Sequence, residues 1–260
     1  MEILFLGTCA CNYSRYTDLL NTEFRDRFDP NFRRASSALI DGHLLIDCGP
    51  HCLDSLRIAE VDLTDVTDLF LTHLHSDHFH LENVQKLADA KETPLRIWVS
   101  EEAQLPTLSN VSVIPMKKFV PYVPKDGWTV TALSANHDPD AAPQHFLFQK
   151  NGKKMLYACD GAWFMTQTFH FLKKMRLDVV AIDATCGDYE GDYRIAEHNS
   201  IPMLRLMLPS LRTAELIDGH TEIYLTHLAP SLHKSHDETA ELVRPMGCKV
   251  AFDGLRVSII

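Results

Sequence analysis

Residues 72–80 read THLHSDHFH. Four imidazoles and one carboxylate fall within these nine positions, directly after the apolar run Leu69-Phe70-Leu71. A solvated polar loop is the plain reading. A metal site is the sharper one, because neutral imidazole nitrogens and carboxylate oxygens are ligands of zinc and similar cations at about 2.0–2.2 Å. In an extended segment the side chains of His73 and His75, two residues apart, share a face. Ser76 is then placed to cap a helix whose first turn holds Asp77 and His78, turned back toward the same pocket. Read this way, H-x-H-x-D-H offers two ligands to one ion and two to a neighbouring ion.

The rest of the chain decides between these readings. Its 260 residues are 45% hydrophobic and 23% charged, an ordinary globular profile long enough for a large core. A formal net charge of -10 disfavours a nucleic-acid partner, since polyanion binding usually needs a basic face. No apolar stretch approaches the roughly 20 residues of a membrane span. The opening MEILFLG lacks a basic leader region and reads as a first strand. The seven cysteines are odd in number, so free thiols in the reducing cytoplasm are expected. Fourteen histidines is the one anomaly of composition.

Coarse periodicity predicts a strand-rich first third followed by alternating strands and helices, and so one α/β domain over 1–260. Asp41-Gly42 and Asn151-Gly152 each sit between apolar runs and predict tight hairpins. Helices are predicted over 52–59, 81–90, 163–175, 201–208 and 238–243.

Four predicted strands end in a potential ligand. FLT runs into His73, TALSAN into His137, MLYAC into Asp160 and IYLT into His227. Strand-end loops are where α/β proteins place their chemistry, and a carboxylate such as Asp160 can bridge two cations. Thiolates are absent from these positions, which favours an open site with bound water over a structural zinc knuckle. Asp47 and Asp183, also at strand ends, are placed either to orient ligand histidines or to cap turns.

H-x-H-x-D-H followed by a lone His, a lone Asp and a last His at strand ends resembles the metallo-β-lactamase superfamily. The resemblance implies a four-layer αβ/βα sandwich with a dinuclear site. It implies His73, His75 and His137 as ligands of one metal, Asp77, His78 and His227 as ligands of the second, and Asp160 as the bridging carboxylate. Asp77 also counts among the catalytic residues. GTCAC (7–11), RRASSALI (33–40), LLIDCG (44–49), LTHLHSDH (71–78), LSANHD (133–138), VVAIDATCG (179–187), EHNS (197–200), IYLTHLAP (223–230) and AFDGLRV (251–257) resemble, more closely, the phosphoribosyl cyclic phosphodiesterases of phosphonate breakdown. That resemblance places His198 beside the scissile phosphate and implies hydrolysis of a small phosphodiester, cyclic ones included, by a metal-bridged hydroxide.

The chain departs from the closer family in three places. The cysteine cluster that holds an extra structural zinc is reduced to Cys9-Ala10-Cys11, so no structural zinc is expected. The glycine that commonly follows the histidine signature is replaced by Phe79-His80-Leu81-Glu82. Residues 12–34 form an aromatic insert, in which Tyr13, Tyr16, Phe24 and Phe28 have three open uses: substrate lid, homodimer contact or core packing. All three departures bear on the substrate more than on the metals.

Two divalent ions are therefore expected, zinc or manganese, with iron as a further candidate. His198 is the candidate proton donor or phosphate clamp. Arg33 and Arg34 are candidate contacts to a substrate phosphate, with surface charge as the alternative. His80, His233 and His236 read as solvated residues, although the last two lie near His227. An RNA 3′-processing nuclease and a lactone or thioester hydrolase of the same superfamily remain alternatives, with a non-catalytic metal-binding module further off.

Overall fold

The computed structural model describes residues 1–10, 25–125 and 127–259. Cys11, Tyr13, Tyr16 and Phe24, and with them most of the aromatic insert, lie outside the described residues. The chain divides into two compact units, Met1–Met116 with Phe252–Ser258, and Lys117–Ala251.

Unit 1 carries β1 (Glu2–Gly7), β2 (Ser37–Ile40), β3 (Leu44–Ile46), α1 (Cys52–Ile58), β4 (Asp68–Phe70), α2 (Leu81–Asp89), β5 (Leu95–Ser100) and β6 (Val111–Met116). Unit 2 carries β7 (Pro121–Tyr122), β8 (Thr129–Ser134), β9 (Gln144–Lys150), β10 (Lys153–Ala158), α3 (Thr166–Leu172), β11 (Val179–Asp183), α4 (Ile201–Thr213), β12 (Glu222–Thr226), α5 (His236–Val243) and β13 (Cys248–Val250). The last strand, β14 (Arg256–Ser258), returns to unit 1 and pairs with β1.

Each unit is built on one seven-stranded sheet, ordered β14-β1-β2-β3-β4-β5-β6 in unit 1 and β13-β12-β11-β10-β9-β8-β7 in unit 2. The two sheets follow the same plan. An antiparallel hairpin, β2–β3 or β9–β10, is followed by three parallel strands, β4-β5-β6 or β11-β12-β13. Both hairpins turn where the sequence predicted. Asp41 and Gly42 have φ of 45° and 74°, and Asn151 and Gly152 have 52° and 78°. Asparagine, aspartate and glycine tolerate this left-handed pair, whose twist matches that of the flanking strands.

Parallel strands covered on both faces need continuous apolar runs. Accordingly Leu44–Ile46, Asp68–Phe70 and Val179–Asp183 are buried throughout. In unit 1, Leu45, Leu69 and Ile97 pack with Leu56 of α1 and Val84 and Leu87 of α2. In unit 2, Leu156, Ile182 and Leu225 pack with Leu204, Leu208 and Leu211 of α4 and Val243 of α5.

Three helices differ from their predicted bounds by more than one residue. α3 covers only Thr166–Leu172, leaving Trp163 and Met165 outside it and 42% exposed each. α4 runs past Leu208 through Pro209 to Thr213, because burying Leu211 on the same face outweighs the lost backbone bond. α5 starts at His236, since Ser235 and Glu238 form a reciprocal capping box. The short strand β7 was not predicted at all.

Candidate metal centre

In unit 1 the ligand candidates follow β4. Ser76 does not cap a helix. The backbone N–H groups of His78 and Phe79 both donate to the carbonyl of His75, at 3.0 and 2.8 Å, and close a single turn. Asp77 and His78 lie in that turn, and α2 begins only at Leu81. Gly49 lets it pack down, because a Cβ there would fall 1.8 Å from the carbonyl oxygen of Asp77.

Beneath the turn lies Asp47, fully buried with φ 58°. Its Oδ1 accepts from the Thr72 N–H at 2.7 Å. Its Oδ2 accepts from Thr72 Oγ1 at 2.7 Å and lies 2.8 Å from His78 Nδ1. Thr72 Oγ1 is also 3.0 Å from His73 Nδ1. Burial pushes the Asp47 carboxyl upward, against the His78 and Thr72 contacts that favour its charge.

Unit 2 repeats the device. Asp183 Oδ1 accepts from the Thr185 N–H at 3.1 Å, and Oδ2 from Thr185 Oγ1 at 2.7 Å. Oδ2 also lies 3.1 Å from His227 Nδ1 and 3.3 Å from His198 Nδ1. Burial would raise the Asp183 pKa, but contacts with His198 and His227 outweigh it and bring it to about 2. Asp160 and His227 have φ of 62° and 57°. Left-handed backbone at non-glycine residues costs about 1–3 kcal/mol each and clusters at functional sites.

The ring nitrogens and carboxylate oxygens that face one another carry the ligand chemistry. His73 Nε2 is 3.1 Å from His75 Nδ1, and His78 Nε2 is 3.3 Å from Asp77 Oδ2. In unit 2, Asp160 Oδ2 is 3.4 Å from His227 Nε2 and 3.6 Å from His137 Nε2. Two donors bound at about 2.0–2.1 Å to one tetrahedral zinc stand about 3.3 Å apart. The residues therefore fit a divalent ion. The donors are imidazoles and carboxylates, all buried but the half-buried His75, and His73, His78 and His227 each have Nδ1 against a threonine hydroxyl or carboxylate. That contact turns Nε2 toward a metal, the usual outer support of a ligating histidine.

His198 joins this group. Its Nδ1 lies 2.8 Å from Asp160 Oδ1, and its ring stacks on His227 with centroids 5.6 Å apart. Burial opposes its charge, but Asp160 and Asp183 outweigh burial and raise its pKa to about 11. His137, Glu197 and His198 also offer ligand atoms within 4.8 Å of one another.

Other predicted residues have structural partners. Arg33 and Arg34 are buried, 7% and 6% exposed. Arg33 Nη1 donates to Thr8 Oγ1 at 2.7 Å, and the Arg34 backbone N–H donates to Asp253 Oδ2 at 2.6 Å. These contacts engage both arginines inside unit 1 and are not those of surface charge. The Cys9 thiol contacts the Ala10 carbonyl. His80 precedes α2 without a side-chain cap bond. Sequence reasoning missed Thr72, Thr185 and Asn199. Asn199 ties the site loops together, its N–H donating to Asp183 Oδ1 at 2.7 Å and its Nδ2 to the Gly161 carbonyl at 2.9 Å. The only signal for the threonines was their place one or two residues from a candidate ligand or carboxylate.

A family model for the anti-Pycsar protein Apyc1 matches residues 35–104. No curated protein matches the sequence. Among solved structures, the chain is similar to the metallo-β-lactamase fold protein YhfI from Bacillus subtilis, at 17% identity and TM-score 0.72 over 98% of both chains. It is also similar to a diphosphatase from the PhnP family, at 16% identity and TM-score 0.71 over 98% of this chain and 96% of the other. A third is zinc-bound PqqB from Methylobacterium extorquens, at 16% identity and TM-score 0.68 over 99% and 100%. The chain has the metallo-β-lactamase fold. No helix among the described residues is long and apolar enough to cross a membrane.

Proposed function

We propose that residues 1–260 act as one metal-dependent hydrolase domain, a phosphodiesterase for small phosphodiesters, cyclic ones included. The observation that carries this reading is the set of donor separations from 3.1 to 3.6 Å among imidazoles and carboxylates that are buried except for the half-buried His75, with His73, His78 and His227 braced at Nδ1. In this proposal His73, His75 and His137 hold one ion, Asp77, His78 and His227 hold a second, and Asp160 serves both. Similarity in fold to a PhnP-family diphosphatase and to zinc-bound PqqB supports it. When bound, a pair of divalent ions (zinc or manganese, with iron a further candidate) acidifies water and neutralises phosphate oxygens.

The chain's own groups do the rest. Asp47 and Asp183 keep His78 and His227 in the tautomer that presents Nε2. His198, kept charged by Asp160 and Asp183, holds one proton at Nδ1 against those carboxylates and a second at Nε2, which can be donated to a phosphate oxygen or to the leaving alkoxide. The same proposal includes a small-molecule substrate, no nucleic-acid or membrane partner, a homodimer and residence in the cytoplasm. No disulfide joins the six described cysteines to one another, which suits a reducing compartment.

A metal titration of stripped protein tests the reading, with bis(p-nitrophenyl) phosphate and ribose cyclic phosphates as substrates. Activity should saturate near two added ions per chain and disappear in His75→Ala. Metal binding without phosphodiester turnover would sink the substrate class and move lactones and thioesters to the front.

A further inference from the structure

We infer that His233 is a positioning residue for His227, acting through a staple formed by the loop that follows β12. This rests on the proposal that His227 ligates a metal. His233 Nε2 lies 2.7 Å from the carbonyl oxygen of Ala184. A carbonyl only accepts, so Nε2 carries the proton and donates. Ala184 stands between Asp183 and Thr185, the two residues that contact His227 Nδ1. The exit of β11 thus grips the loop after His227 at both ends. At the near end Thr185 Oγ1 is 2.8 Å from the carbonyl of His227, and the Ala229 N–H reaches the Thr185 carbonyl at 3.4 Å. At the far end His233 docks on Ala184.

Two further observations show that this grip is specific. The loop backbone presses on Gly187, where a Cβ would sit 2.1 Å from the Leu232 carbonyl oxygen and where φ is 57°. Only glycine fits that approach. A cavity of about 240 Å³, lined in part by Tyr189, Leu232, His233, Lys234 and Leu242, lies beside the same loop. The loop therefore borders a solvent-open recess on this side, and the His233 hydrogen bond ties it to the exit of β11. The arrangement matters because His227 has a left-handed backbone that must be over-determined by its surroundings to persist. Freed at its far end, the loop can relax that conformation and swing Nδ1 of His227 off Asp183.

The test compares His233→Leu, which keeps bulk and loses the donor, with His233→Gln, whose amide N–H can reach the Ala184 carbonyl. Zinc affinity of the stripped protein is measured by competition with a chelator. The Nδ1 proton of His227 in metal-free protein is followed by NMR. His233→Leu should weaken zinc about tenfold, at the low end of the range for outer-shell supports, and lose the protected Nδ1 signal. His233→Gln should restore both. If His233→Leu fails to fold, His233→Asn, too short to reach Ala184, should show the same loss. Unchanged zinc affinity and an unchanged His227 signal in the leucine or asparagine variant would overturn the inference. Zinc binding by the native chain with no phosphodiester turnover would instead sink the proposed function and leave the staple standing.

Discussion

Asp47 Oδ2 lies 2.8 Å from His78 Nδ1, and neither residue is exposed to solvent. Asp183 stands in the same relation to His227, at 3.1 Å, and each carboxylate is also chelated by the N–H and hydroxyl of one threonine. A buried carboxylate that faces a histidine Nδ1 fixes which ring nitrogen is left for a metal. Asp47→Asn and Asp183→Asn should each weaken zinc binding by about 10–100-fold, read by chelator competition. Native affinity in either variant would remove that aspartate from the support of the site.

The threonines make a separable contribution. Thr72→Val and Thr185→Val keep the shape and remove a hydroxyl from a buried carboxylate. Each should cost about 1–3 kcal/mol, the penalty of leaving a buried polar group short of a partner. Urea denaturation of metal-free protein reads this cost directly, with no contribution from metal affinity.

Glycines 42 and 49 should respond differently to alanine. Gly42 has φ 74° and open space around it, so Gly42→Ala pays only the left-handed backbone cost of about 1–2 kcal/mol. At Gly49 a Cβ would strike the Asp77 carbonyl oxygen. Gly49→Ala should therefore displace the ligand turn and lower zinc affinity, whereas Gly42→Ala should leave it native. Equal zinc affinities in the two variants would contradict the packing described.

Leu225 is fully buried on β12, two residues before His227. Leu225→Ala should destabilise the fold by about 2–5 kcal/mol through lost burial and the cavity left behind. A shift of the urea midpoint at constant slope is the expected signature.

His145 sets a pH dependence. Burial lowers its pKa to about 4, from an unfolded value of 6.5. The unfolded chain then binds more protons between those values, so the stability from this group is complete above pH 6.5 and is lost as pH falls toward 4. The shift corresponds to about 3 kcal/mol. Asp253 works in the opposite sense, because burial raises its pKa to about 6 and favours the acid side. The measurement is therefore a difference, native minus His145→Leu, in metal-free protein across pH 4–7. A flat difference would show that His145 is not buried in its neutral form.

Much of this architecture was legible in the chain. Apolar runs of the right length located most strands, because strands buried on both faces admit little else. Asp41-Gly42 and Asn151-Gly152 located both hairpins, because few residues tolerate left-handed backbone. The histidine-rich segment and the strand-end residues marked the ligand candidates, since imidazoles and carboxylates are costly to bury without a partner. Helix ends were read less well. The helix predicted over 201–208 runs on through Pro209 to Thr213, where the burial of Leu211 lies beyond the reach of local propensity. Ser76 looked like a cap, yet close packing against Gly49 holds its segment in one turn.

The sequence by itself determined which residue types were available for metal chemistry and placed them after strands, because spacing and apolar periodicity are local properties of a chain. Only the tertiary structure decided which nitrogen each histidine turns inward and which groups hold it there. Those choices depend on contacts between residues far apart in sequence, such as Asp47 with His78, Thr185 with His227 and His233 with Ala184. They also depend on burial, which made Arg33 and Arg34 internal partners of Thr8 and Asp253. No local pattern encodes such distances, because they are set by how the strands pair and how the loops fold back upon them.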